Sequence, residues 1–164
     1  MVVLQEQHRR ESIGATWERR YPLALAIVGG LGWYLYSPSF YAASINEGWF
    51  IGALYSSVFD LASIATAFLF TFYSFVVTTD RGFIGQMKQT RAYHLFKRYT
   101  WSAVLLGALL VVGTIPFLIV QPAPDHSSNH WLFYSSVWMG LTVWTAASFV
   151  RSANIFVVFI RRHD

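Results

Sequence analysis

The amino-acid sequence predicts an all-α integral membrane protein with four transmembrane helices, both termini in the cytoplasm, assembled as a homo-oligomer. Three observations carry that expectation. Hydrophobic residues make up 55% of the chain and charged residues only 12%, against about a quarter charged in soluble domains, so the apolar surface needs lipid or partner subunits to cover it. Four apolar runs follow one another near residues 21–40, 57–79, 99–120 and 131–155, and about 20 residues at about 1.5 Å each cross the hydrocarbon core of a bilayer. Lys and Arg, with the exception of Arg151, lie before the first run, between the second and third, and after the fourth. By the positive-inside rule those segments face the cytoplasm.

The first segment, residues 1–20, carries Arg9, Arg10, Arg19 and Arg20 among Glu6, Glu11 and Glu18. It reads as a cytoplasmic or interfacial piece with Trp17 at headgroup level. Its acidic residues, and the lack of a small-x-small cleavage pattern after it, favour retention over a cleaved signal peptide. The membrane domain, residues 21–160, opens with Pro22 at a tolerated first-turn position. Gly29, Gly30 and Gly32 in the first run suit close contact between helices. Residues 37–48, with Pro38, Asn46 and Glu47 and no Lys or Arg, read as an outer loop or interfacial piece.

The second run dominates the chain. From Phe50 to Thr79 it contains a single charge, Asp60. Asp60, Ser63, Ala67, Thr71, Ser74 and Thr78 are spaced by threes and fours, which puts them on one stripe of a helix. Leu61, Ile64, Phe68, Phe72, Phe75 and Val76 stand away from it. Small hydroxyl residues on such a stripe permit close helix packing; the same stripe could instead line a narrow aqueous path with a carboxylate near its outer mouth. Both readings stand on the residues alone.

The connector, residues 80–98, holds Arg81, Lys88, Arg91, Lys97 and Arg98 interleaved with Phe83, Met87, Tyr93 and Phe96. These cations orient the chain, and each also attracts anionic headgroups by about 1 kcal/mol. The aromatics between them would suit a cytosolic effector subunit. A net charge of +4 in short segments serves orientation better than direct nucleic-acid binding. In the third run Pro116 is expected to kink or end the last turn. The fourth run is long enough at Trp131–Val150, which leaves Arg151 at the inner interface with its side chain snorkelling; a deeper span would require a partner for it. Residues 161–164 form a cytoplasmic tail.

Catalysis finds no footing. The chain lacks cysteine, which removes thiolate nucleophiles and metal ligands. G-x-S-x-G, H-E-x-x-H, the P-loop and the dinucleotide fingerprint are absent. All five His fall outside the four spans, against haem ligation within the membrane. Asp125, His126 and His130 could share a metal, but among Pro122, Pro124, Ser127, Ser128 and Asn129 they read better as a solvated loop. No enzyme, metal or cofactor is expected.

LASIATAFLFTFYSF in the second run, MKQTRAYHLFKRY leading into the third and ASFVRSANIFVVFI closing the fourth resemble small four-span bacterial membrane proteins of phage exclusion and defence, in particular the RexB-like membrane subunit of a two-gene prophage exclusion system. That resemblance implies a regulated, membrane-depolarising pore or a membrane sensor of the bacterial inner membrane, homo-oligomeric, working with a cytosolic effector. In the pore form, Asp60 from each copy forms a cation-favouring ring, Ser63, Ala67, Thr71, Ser74 and Thr78 line the path, and Phe68 and Phe72 serve as packing or a hydrophobic gate.

Overall fold

The computed structural model describes residues 2–48, 50–79, 85, 88, 91–120 and 129–161, with side chains described at 20–44, 46–48, 50–79, 85, 88, 93–120 and 130–155. It holds four helices among the described residues: α1 Val2–Glu47, α2 Ile51–Thr78, α3 Arg91–Val120 and α4 Asn129–Arg161. Arg81, Asp125 and His126 lie outside the described residues. Three stretches, Arg20–Ser44, Ile51–Thr78 and Tyr93–Val120, are long and apolar enough to cross a membrane.

Helix boundaries run further than the sequence suggests. The polar segment 1–20, the first span and the expected outer loop at 37–48 form one helix of 46 residues that continues past Pro22 and Pro38. A proline inside a helix removes one hydrogen bond, and helix packing in a membrane compensates where no other backbone partner is available. Gly48, at φ 68°, ends α1 in the left-handed conformation that glycine adopts without a Cβ penalty. The connector is likewise partly helical, since α3 begins at Arg91. Pro116 lies inside α3, which runs on to Val120.

At the far end of α2 the free carbonyls are capped densely. Thr79 donates to the Phe75 carbonyl from both its backbone nitrogen, at 3.1 Å, and its hydroxyl, at 2.8 Å. Lys88 Nζ, eleven residues along, donates to the Val77 carbonyl at 2.7 Å. A cation there also complements the negative end of the helix dipole.

The packing order is α1, α4, α3, α2; α1 and α2 sit at opposite ends of this series and barely touch. The neighbours run antiparallel: Tyr21 lies beside Ala147 and Gly30 beside Ser136, while Tyr99 meets Arg151 and Phe117 meets Trp131. α4 falls outside the three apolar stretches, and it is one of the two helices, with α3, packed on both sides. Its polarity goes inward. Ser135, Ser136, Thr145, Ser148 and Ser152 are buried, and most bond back to their own helix, as Ser136 Oγ does to the Leu132 carbonyl at 2.6 Å and Thr145 Oγ1 to the Leu141 carbonyl at 2.9 Å. Large apolar side chains face out instead, among them Leu31 and Leu35 on α1, Leu61 and Ile64 on α2, Val112 and Ile119 on α3. Polar inside and apolar outside is the arrangement of a membrane-embedded protein, where lipid tails cost an apolar side chain nothing.

Two contacts fix the helices. Gly30 and Gly140 meet where α1 crosses α4, and a Cβ on either would stand 3.0 Å from a backbone oxygen of the other helix. Two residues along α4 from that crossing, Trp138 begins the second: Tyr55 of α2 packs its ring 5.3 Å from both Phe117 of α3 and Trp138 of α4, and its hydroxyl lies 3.2 Å from that of Tyr41 on α1. Trp138 Nε1 donates to Thr114 Oγ1 at 2.9 Å, and that hydroxyl donates to the Leu110 carbonyl at 2.7 Å. All four helices meet at this node.

Replacing Gly140 with Leu should therefore cost about 1–3 kcal/mol by overpacking. Gly113→Ala, with open space around its Cβ position, should be neutral or up to about 1 kcal/mol stabilising. Thermal unfolding in detergent compares them, and equal melting would contradict the crossing. Thr114→Val strands the Trp138 N–H and should cost about 1–3 kcal/mol. The pair Thr114→Val with Trp138→Phe should lose less than the sum of the two single changes, which a double-mutant cycle measures.

Candidate functional site

α2 has three faces rather than two. One is buried: Gly52, Tyr55, Ala62 and Leu69 pack toward α3, and Thr66 lies so close to Gly107 that α3 tolerates no side chain there. Leu69 joins Ala103 and Val104 in a second small core with Phe149 of α4 beside it. The second face is bulky and outward, with Leu61, Ile64, Phe68 and Phe75 all exposed.

The third face is the polar stripe. At about 100° per residue it lies about a third of a turn from the line of Tyr55, Ala62 and Leu69. Asp60, Ala67, Thr71 and Thr78 are exposed on it, with Ser63 and Ser74 half-buried. It is not packed inside its own protomer. Thr71 Oγ1 donates to the Ala67 carbonyl at 2.9 Å and Thr78 Oγ1 to the Ser74 carbonyl at 2.8 Å, so these hydroxyls carry their proton on the helix and turn oxygen lone pairs outward. Asp60 lies about 13 Å from the start of α2 and about 27 Å from its end. Among the described residues its carboxylate makes no ion pair.

The two aromatics divide their roles. Phe72 is half-buried and meets Phe96 of α3 edge-on at 5.8 Å, whereas Phe68 stacks on Phe72 at 6.5 Å and is otherwise exposed. Phe72 is thus a packing residue within the protomer. Phe68 is the one free to meet something else.

The cations gather at the opposite end from Tyr55. Arg20 on α1 and Lys97 and Arg98 on α3 are exposed there, and Arg91 lies in the first turn of α3 with its side chain not described. Arg151 is different. It is only 8% exposed, its guanidinium carbon stands 4.0 Å from the centre of the Tyr99 ring, and its Nε is buried without a hydrogen-bond partner. A cation over an aromatic face gains about 0.5–2 kcal/mol, while sealing a charge from water costs several. The ring alone does not balance the burial. The sequence expectation of a snorkelling side chain misses this, because nothing in the text of the chain pairs residue 99 with residue 151.

No metal-binding group of three His, Asp or Glu side chains occurs among the described residues, and His130 is exposed in the first turn of α4. The stripe offers a carboxylate and hydroxyl oxygens on an outward helix face, which is chemistry for weak, rapid contact with monovalent cations and water. No family model matches the chain, and comparison with curated proteins and with solved structures returns no match. None of these comparisons links the chain to phage-exclusion membrane subunits.

Proposed function

We propose that the chain is a gated, ion-conducting membrane protein in which several copies set α2 around a common axis. All four helices span, both termini lie in the cytoplasm, and the polar stripe lines the path. One observation carries the reading: a carboxylate, Asp60, stands exposed on a helix of membrane length, at the free end of the packing order, with no ion-pair partner among the described residues. A charge facing acyl chains costs about 2.5–3.5 kcal/mol or more. Water or neighbouring copies relieve that cost, and a symmetric arrangement supplies both. Four helices packed together fill their interior with side chains and leave little room for water, so conduction requires the assembly.

In this reading Asp60 makes an outer ring that concentrates cations, Thr71, Ser74 and Thr78 continue the path inward, and Phe68 narrows it. Depolarisation of a bacterial inner membrane, as in phage exclusion, is the cellular use that fits such a pore. The alternative is a membrane sensor that recruits a cytosolic effector without conducting. It draws on the exposed Lys97, Arg98 and His94 in the first turns of α3, which a partner could read.

Asp60→Asn should reduce cation flux through reconstituted vesicles by about tenfold or more, since the ring's field is what gathers ions. Unchanged flux, or no flux from the wild type under any applied voltage, rules against the pore; loss of a bound cytosolic protein on neutralising Arg91, Lys97 and Arg98 would then favour the sensor. The absence of native cysteine allows a second measurement. Single cysteines at Ser63, Thr71 and Thr78 should react with a membrane-impermeant thiol reagent at least about tenfold faster than cysteines at Ile64 or Phe75, because only wetted thiols ionise and react. Equal, slow labelling of both sets would place the stripe against lipid or dry protein.

A further inference from the structure

We propose that Arg151, seated on Tyr99, is a binding site for the phosphate of an anionic phospholipid in the inner leaflet. The argument does not use the α2 stripe. Arg151 is a charged side chain more than nine-tenths buried, and none of its nitrogens has a hydrogen-bond partner among the described residues; only Nε is both sealed and unbonded. The terminal nitrogens therefore hold the small opening that remains. Ser148, one turn earlier on the same helix face, is fully buried and its hydroxyl is also unpartnered. Ser152 Oγ is spent on the Ser148 carbonyl at 3.0 Å.

Among the residues with described side chains a counter-anion is missing. The acids among residues with described side chains are Glu47 and Asp60, both toward the opposite end of the bundle. Exposed Arg20, Lys97 and Arg98 surround the near end with further positive charge. Depth selects the anion. Arg151 lies 20 residues, about 30 Å, along α4 from Trp131, which is one hydrocarbon thickness, so the guanidinium stands at headgroup level. A planar guanidinium whose face is occupied by a ring still presents its edge, and two parallel N–H bonds from that edge match two phosphate oxygens. A lipid phosphate reaches this position with its acyl chains already lying along the outward apolar faces of α3 and α4.

Thermal unfolding of the full chain in detergent, with phosphatidylglycerol, phosphatidylcholine or inorganic phosphate added separately, tests the assignment. Phosphatidylglycerol near saturation should raise Tm by about 5 °C, phosphatidylcholine by less than half as much, and inorganic phosphate by nothing measurable. Arg151→Gln should abolish the phosphatidylglycerol increment, while Lys97→Gln should keep most of it. An increment that survives Arg151→Gln, or an equal response to inorganic phosphate, overturns the proposal. Should Arg151→Gln not fold, Arg151→Lys keeps the charge but not the fork, and native mass spectrometry should then show at least about threefold weaker lipid retention; unchanged retention overturns it equally.

Discussion

Lipid offers the backbone and the hydroxyls no hydrogen bonds, and every other feature of this chain follows from how it meets that constraint. Serines and threonines gather on α4, where they bond to their own helix and let neighbours come close. That leaves few strong anchors between helices. Trp138 is one: its N–H finds the hydroxyl of Thr114, and its ring receives Tyr55 and Phe117. Because the indole brings a large apolar surface and one donor, a single residue joins α2, α3 and α4 at one level, with Tyr41 extending the contact to α1 through Tyr55.

Away from that level α1 and α2 part company, and the consequence for function is directional. A closed four-helix bundle fills its own interior with side chains, whereas here the last helix of the packing order keeps two of its three faces uncovered. One of them is greasy and one carries Asp60. Lipid serves the first well and the second badly. The same chain thereby presents a surface that is content in the bilayer beside a surface whose charge acyl chains cannot serve.

The sequence was readable where composition and periodicity speak. Four helices, three of them long and apolar enough to cross a membrane, were legible, because apolar length and threes-and-fours spacing are local properties. Helix ends were less so: Ser37 to Glu47 looks like a loop through Pro38 and Asn46, yet neighbouring helices hold it in α1. The packing face of α2 was present in the text as Tyr55, Ala62 and Leu69 at intervals of seven, but the hydroxyl stripe and the aromatic run beside it are more conspicuous. Contacts between distant residues, Trp138 with Thr114 and Arg151 with Tyr99, have no local signature and emerge only from the antiparallel register.

Lys88 gives the last turn of α2 a mechanical handle. Its ammonium holds the Val77 carbonyl from eleven residues further along the chain, so the chain at residue 88 is buttoned to the final turn of α2. Anything that tugs the connector away must first undo that fastening and unwind a carbonyl into a setting poor in donors. Force applied at Lys88 is in this way delivered to the helix that bears Asp60.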